Sequence, residues 1–180
     1  RDNLMVSNRL RGLMPMSPER VYFLGITGAN ARASGVRRDQ RRKFFLKSYK
    51  EVSQYLDLSG YYTPTGDAWG RFVIRVEEIK NSGKILTQLI KQIPGGNFCV
   101  PVGQNFAPCA GDAVAHVESP RGRMSALVVS DGSSIPARVK FDIPSFHALR
   151  ACPGTIAGEN IDDINLILNG LDILISEVDR

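Results

Sequence analysis

One long amphipathic segment, residues 67–93, limits the folds open to this chain more than any other feature. Thr65 or Asp67 can cap its start, and Pro94 followed by two glycines ends it. Its apolar stripe recurs at steps of three and four over Phe72, Val76, Ile79, Gly83, Leu86, Ile90 and Ile93. Such a stripe predicts a helix with one buried face, and the glycine within it predicts that another backbone approaches there. A helix of this length is typical of the middle of a helical bundle.

A second segment, residues 118–140, has the pattern of a β-hairpin. A turn around Pro120 precedes the apolar run 124–129, and residues 130–134 form a second turn containing Asp131, hydroxyls and a glycine. The strand after that turn alternates apolar with charged residues over Ala137, Arg138, Val139, Lys140, Phe141, Asp142 and Ile143. This alternation has the period of a strand.

Shorter elements flank these two. Ser17 followed by Pro18 predicts a helix start. Residues 25–36 are rich in small side chains without a phosphate-loop or dinucleotide fingerprint, so they predict close backbone packing. Residues 99–111 are typical of an irregular loop, and residues 144–150 of a short helix.

The last segment predicts another amphipathic helix, capped by Asn160. Acidic residues follow in its first turn, where the helix dipole favours them. Its polar stripe contains Asn165, Asn169, Asp172 and Ser176. By spacing alone, Asp172 belongs to a solvated helix face.

Composition indicates an ordinary globular chain with a basic surface. It has 180 residues, 43% hydrophobic, with a formal charge of +5 and no apolar run near membrane-spanning length. Many of the cations cluster at Arg32, Arg37, Arg38, Arg41, Arg42, Lys43, Lys47 and Lys50. This cluster predicts either a solvated face or a contact surface for acidic groups, RNA or anionic lipid.

No catalytic or metal-binding constellation emerges from the residues alone. The three cysteines include no C-x-x-C pair, and His116 and His147 lack a second ligand at metal spacing. Glu77 and Glu78 are adjacent on a predicted helix, so they point to different sides. We therefore predict neither a catalytic residue nor a metal or cofactor bound by this chain itself.

The motifs, taken in order, resemble one family. They are Gly25-x-x-Gly28, Arg32-Ala33-Ser34-Gly35-Val36, Asp39 with Arg41 and Arg42, Pro64-x-Gly66-Asp67, Arg71, Arg75-Val76-Glu77-Glu78, Glu118-x-Pro120-Arg121-Gly122, residues 129–134 with Pro136, Arg138 and Lys140, residues 144–149, and Asp172-Ile173 leading into Glu177-Val178-Asp179-Arg180. This series resembles the C-terminal half of the hydrogenase-like, or forty-nine-kilodalton, subunit of respiratory complex I.

The resemblance implies an α+β fold: mainly a helical bundle with a small antiparallel β-hairpin, similar to the large subunit of nickel-iron hydrogenases. It also implies that electrons from NADH pass along iron–sulfur clusters to the last cluster, in a neighbouring subunit, and then to ubiquinone in a cavity shared with that subunit. Quinone reduction drives proton pumping in such complexes. The chain would form part of an oxidoreductase without being catalytic alone.

The same resemblance assigns site residues by position. Asp172 and Leu174 would lie at or near the wall of the quinone cavity. Residues with an assembly or structural role would be Glu118, Arg121, Asp131, Arg138, Asp179 and Arg180.

Four positions depart from the family pattern. Gln40 and Ser176 replace a leucine and a glycine, which a packed scaffold tolerates. Gly70 replaces an aspartate and Arg123 a usual glutamate, so both alter local ion pairs.

We expect residues 1–180 to be one portion of a larger subunit, completed by a separate N-terminal chain that carries the residues holding the quinone headgroup. Further expected partners are the terminal-cluster subunit, other peripheral-arm subunits and the membrane-arm subunit through which quinone enters. The expected location is the matrix side of the mitochondrial inner membrane.

Two rival hypotheses remain. One is a free-standing basic RNA-binding module, although nucleic acid is not an expected partner because RNA-binding motifs are missing. The other is a subunit of a membrane-bound hydrogenase relative. Residues 172–180 lack the Cys-x-x-C of a nickel-iron hydrogenase subunit, which favours complex I.

Overall fold

The structure is a computed structural model that describes residues 3–39, 41, 56, 58, 60–103 and 106–179, and its architecture is α+β as expected. The helices are α1 (Leu4–Leu10), α2 (Pro18–Leu24), α3 (Gly28–Ala33), α4 (Ala68–Ile90), α5 (Pro144–Ile156), α6 (Ile164–Leu171) and α7 (Ile175–Val178), with a 3-10 turn at Ile161–Asp163. The strands are β1 (Gly111–Ser119), β2 (Gly122–Ser130) and β3 (Arg138–Asp142). No helix in these described ranges is long and apolar enough to cross a membrane.

The three strands form one antiparallel sheet in the order β1-β2-β3. The predicted hairpin is confirmed as β2 and β3, with Val128 opposite Val139. The structure adds β1, a strand that no sequence pattern indicated, joined to β2 by a two-residue turn between Ser119 and Gly122. Most of β1 is exposed, so its sequence lacks the alternation that a half-buried strand shows.

The predicted helix starts are confirmed. Ser17 caps α2 by accepting the backbone N–H of Arg20, and Pro18 opens that helix. Asp67 caps α4, with one carboxylate oxygen 2.8 Å from the N–H of Gly70 and the other 2.9 Å from the N–H of Gly12. The second bond ties the start of α4 to the segment that follows α1.

The main core lies among the segment before α2, α2 itself, α5 and α6. Its buried members are Leu13, Met14, Met16, Val21, Leu24, Ile26, Ala31, Val36, Ala68, Ala148, Ala151, Cys152, Ile167 and Leu171. These small and medium apolar residues allow the short helices to pack closely. A smaller cluster of Ala29, Ala33 and Ile74 joins α3 to α4.

The α4 stripe, predicted as a buried face, is mostly exposed among the described residues of this single chain. Ile79, Ile90 and Ile93 are 73%, 68% and 71% exposed, and no described atom would contact a Cβ at Gly83. The buried residues of α4 are instead Ala68, Gly70, Arg71, Ile74 and Asn81. Helices α1, α3 and α6 contact α4, and these buried residues belong mostly to its N-terminal half. The apolar stripe is thus not covered by any of the residues that the structure describes.

The last predicted helix is also shorter than expected. It ends at Leu171, and Asp172 adopts a left-handed backbone conformation with φ 55° and ψ 50°. The N–H of Asp172 donates to the carbonyls of Leu168 and Asn169, both at 3.1 Å. Asp172 therefore caps the C-terminus of α6 and does not continue a polar helix face.

Candidate functional site

An open cleft of about 660 Å³ lies between α3, α4, the β1–β2 turn and the end of α6. Charged residues dominate one part of its wall: Arg32, Arg41, Arg75, Glu78, Glu118 and Asp172. Ile79 and Leu86, from the exposed stripe of α4, form an apolar part. The cleft therefore offers hydrogen-bond donors, acceptors and an apolar surface to one ligand.

Arg32 is the buried centre of the charged wall. Its side chain is 3% exposed and pairs with Glu78 of α4 and with Glu118 of β1, the latter at 3.1 Å. Burial alone would lower the pKa of Arg32, but the two carboxylates outweigh it and raise the pKa above its ordinary value. Because Arg32 joins three elements, replacing it would remove an ion-pair partner from two partly buried carboxylates, which is destabilising.

Arg75 connects α4 with the end of α6. Its guanidinium donates to the carbonyl of Gly170 at 2.8 Å and to the side-chain oxygen of Asn30 at 2.9 Å. Its Nε lies 3.9 Å from Oδ2 of Asp172. Burial is the main reason that the pKa of Arg75 is lowered, and the Asp172 carboxylate opposes that shift.

Asp172 lies at the edge of the cleft, with its side chain 38% exposed. Arg121, in the turn between β1 and β2, donates from Nε to the carbonyl of Asp172 at 3.0 Å. Its Nη2 lies 3.5 Å from Oδ1 of Asp172. The turn thus holds both the backbone and the carboxylate of Asp172, and the exposed part of that carboxylate remains accessible from the cleft.

Leu174 lies outside the cleft lining, although it is 39% exposed. Its N–H donates to Oγ of Ser145 at 3.3 Å, and that hydroxyl also bonds Glu177. Glu177 accepts from Arg121 at 3.2 Å. The segment from Asp172 to Glu177 is therefore fixed at both ends by Arg121.

The structure brings together only some of the residues with an expected assembly or structural role. Glu118 and Arg121 make ion pairs within the chain. Asp131 is exposed in the β2–β3 turn, where it accepts the N–H of Ser133, which lowers the pKa of its carboxyl. Arg138 and Asp179 are exposed, and Arg180 lies outside the described residues.

Arg32, Arg75 and Glu78 were not predicted as site residues. One signal was present: Arg32 stands between Ala31 and Ala33, where a charged side chain in a small-residue helix requires a partner. Arg75 and Glu78 are three residues apart on α4, so they lie on one face of it.

Close packing of residues 25–36 is confirmed at Gly28. A Cβ on this residue, which has φ +68°, would lie 2.5 Å from the carbonyl oxygen of Arg121. Only glycine lets α3 approach the β1–β2 turn so closely. This contact places Arg121 over Asp172.

The family departures at Gly70 and Arg123 have local explanations. A Cβ on Gly70 would collide with Oγ1 of Thr65. The neighbouring Arg71 is fully buried and donates to the carbonyls of Gly66 and Met14 at 2.7 and 2.8 Å. Burial lowers the pKa of Arg71 to about 9. Arg123 contacts Asp142 at 3.4 Å.

The two histidines make ordinary polar contacts. Nδ1 of His116 lies 2.8 Å from Oγ of Ser125, and Nε2 of His147 lies 2.7 Å from Asp142. Within the described residues, no group of three potential ligands could hold a metal ion.

The predicted basic contact surface is only partly described. Arg32 is buried, and Arg41 pairs with Asp39 at 2.7 Å, so neither is free for an RNA contact. Arg42, Lys43, Lys47 and Lys50 lie outside the described residues.

Curated bacterial relatives match almost the whole chain. It is 36% identical over 178 residues to the D subunit of the NADH-quinone oxidoreductase of Bacillus mycoides, covering 98% of this chain and 48% of the relative. The protein of the same name from Bacillus anthracis is 35% identical over the same coverage. The chain thus spans about half the length of the curated relatives it matches.

Comparisons of structure and of family models agree with these relatives. A chain of the membrane-bound sulfane sulfur reductase, an archaeal respiratory membrane complex, superposes with a TM-score of 0.88 at 32% identity, covering 99% of this chain and 49% of that one. The family model described as "Respiratory-chain NADH dehydrogenase, 49 Kd subunit" matches residues 1–104 and 99–180. The chain belongs to the family of respiratory-chain NADH dehydrogenase 49 Kd subunits.

Proposed function

We propose that this chain forms the C-terminal half of the 49 Kd-type subunit in an NADH-quinone oxidoreductase, and that its charged cleft is part of the wall of the quinone cavity. The observation that carries the proposal is Asp172, partly exposed at the cleft in a left-handed turn and held by Arg75 and Arg121. The names of the curated relatives support the activity of the whole assembly.

The residues of the cleft suit a quinone headgroup. Arg75 and Arg121 hold the Asp172 carboxylate, which would accept a hydrogen bond from a hydroxyl of the reduced headgroup, and Ile79 and Leu86 present apolar surface to the ring or tail. An iron–sulfur cluster in the neighbouring subunit would supply the electrons. This chain orients the headgroup and sets the electrostatic potential around it.

The exposed stripe of α4 fits a subunit that is completed by other chains. An exposed row of apolar side chains runs along α4, made by Ile79, Leu86, Ile90 and Ile93. Contact of such a row with water is unfavourable, and exposed apolar patches of this kind mark interaction sites. We propose that the N-terminal half of the subunit covers it, while the terminal-cluster subunit and the quinone-entrance subunit of the membrane arm adjoin the cleft. A separate polypeptide for the N-terminal half, and a mitochondrial inner membrane location, stay predictions; the curated relatives named above are bacterial.

The structural match favours a second candidate, a complex that reduces sulfane sulfur, the activity named for the matched archaeal complex. A third candidate is a subunit of a membrane-bound hydrogenase relative, and nickel in the purified assembly would identify it. All share one experiment: purify the native assembly through an affinity tag on this chain. NADH-dependent quinone reduction supports the proposal, whereas sulfane sulfur reduction or stoichiometric nickel without that activity overturns it.

A further inference from the structure

A second and smaller cavity, of about 90 Å³, lies on another side of α3 and shares no residue with the charged cleft. It is lined by Tyr22, Gly25, Ile26, Thr27, Ala31, Val36, Arg38 and Arg123. Apart from Thr27 and the two arginines, this wall is apolar or aromatic. Two cations therefore meet in a mainly apolar enclosure.

Each arginine keeps one buried N–H group that no acceptor among the described residues satisfies. The Nε atoms of Arg38 and Arg123 are buried and have no hydrogen-bond partner. Arg123 reaches Asp142 only at 3.4 Å, and the other oxygen of Asp142 is already 2.7 Å from His147. No ion pair of Arg38 occurs among the described residues. Buried guanidinium N–H groups without acceptors are costly, so an anion here would be stabilised.

The cavity has room for one small anionic group between the two arginines. A single carboxylate or phosphate suits this volume of about 90 Å³. Arginine presents paired N–H donors that match the two oxygens of a carboxylate. Thr27 accepts the backbone N–H of Arg123 at 2.8 Å, which leaves its hydroxyl proton as a further donor.

The rim of the cavity indicates where the carboxylate comes from. Tyr22, on the rim, is 62% exposed, and Phe23 beside it on α2 is 84% exposed. Exposed aromatic residues around a charged pocket are typical of protein interfaces. A free anion would leave this aromatic surface uncovered.

We propose that Arg38 and Arg123 form a docking site for an acidic side chain of a neighbouring polypeptide in the assembly. The inference rests on the chain working within an assembly, but it does not depend on which substrate that assembly reduces.

A zero-length cross-link tests the proposal directly. In the Arg123→Lys variant of the intact assembly, a water-soluble carbodiimide should couple the new amine to an aspartate or glutamate of another chain, mapped by mass spectrometry. Arg37→Lys, one residue from Arg38 and exposed, is the matched control and should give at least about tenfold less of this product. A cross-link to Asp142 alone, or none, overturns the proposal.

Charge reversal gives a second test that does not depend on cross-linking. Arg123→Glu should raise the rate at which the partner dissociates in salt by about tenfold or more, whereas Arg37→Glu should leave it unchanged. Equal rates in both variants overturn the proposal. If inorganic phosphate alone protects Arg123 from phenylglyoxal and no partner carboxylate is cross-linked, the site takes a free anion and the docking role is wrong.

Discussion

At the scale of single residues, Asp172 is held in a conformation that most side chains avoid. A left-handed backbone costs a residue with a Cβ about 1–2 kcal/mol, although aspartate tolerates it better than most. The bonds from Arg121 to its carbonyl and the nearby guanidinium of Arg75 offset this cost. Such conformations persist where the surroundings determine them, and they are common at functional sites.

Replacing Asp172 by asparagine removes the negative charge and keeps the left-handed turn, so the two contributions can be measured separately. Asparagine also tolerates the left-handed conformation, so Asp172→Asn should keep the subunit in the assembly. Losing one charged contact to the headgroup should lower NADH:quinone activity about tenfold, since 1.4 kcal/mol corresponds to that factor. The control is Asp112→Asn, an exposed carboxylate on β1. Unchanged kinetics in Asp172→Asn would remove this residue from the proposed cavity wall.

At the scale of elements, the β1–β2 turn depends on the absence of a side chain at Gly28. Gly28→Ala would press a methyl group against the backbone of Arg121 at a residue with positive φ. Overpacking and strain together should lower the free energy of unfolding by about 2–4 kcal/mol. The effect should appear as faster hydrogen exchange in the β1–β2 turn and in residues 172–177.

Gly83→Ala is the matched control for Gly28→Ala, because no described atom lies near a Cβ at this position. Within an exposed helix, alanine is favoured over glycine by about 1 kcal/mol. The amide hydrogens of α4 should therefore exchange no faster in Gly83→Ala than in the unsubstituted chain. If both substitutions had the same effect on exchange, packing at Gly28 would not be what positions Arg121.

The start of α4 should be sensitive to acid. Burial alone would raise the pKa of Asp67, but the N–H groups of Gly12 and Gly70 outweigh it and lower the pKa below its ordinary value. The stabilisation is thus complete above about pH 3.9 and is lost as the pH falls through the lowered pKa of the folded state. Asp67→Ala should cost about 1 kcal/mol at pH 7, measured by hydrogen exchange in the first turn of α4. If the first turn of α4 is equally sensitive to acid in the Asp67→Asn variant, then a group other than Asp67 causes the sensitivity.

At the scale of the whole molecule, local sequence patterns predicted the helices and strands better than they predicted which faces of those elements are buried. The capping residues Ser17 and Asp67 and the alternation in β3 are local, so their elements were predicted correctly. The α4 stripe is exposed among the described residues, and the end of α6 contacts arginines distant in sequence. The charged cleft could not be predicted from periodicity for the same reason: Arg32, Glu78 and Glu118 meet only after folding.

The exposed stripe of α4 predicts poor behaviour of the isolated chain. Ile79, Leu86, Ile90 and Ile93 remain in contact with water, and exposed apolar surface of this kind promotes association. The purified chain alone should bind a hydrophobic dye, aggregate and lack a cooperative thermal transition. A sharp transition of a monomer would show that no other chain is needed to cover α4.

The most direct measurement of the central claim is photoaffinity labelling of the purified native assembly with a photoreactive quinone. We predict that the label attaches to the peptide of this chain that contains Asp172, and that excess unmodified quinone prevents the attachment. Labelling confined to other chains, in an assembly that still reduces quinone, would contradict the assignment of this cleft to the quinone cavity.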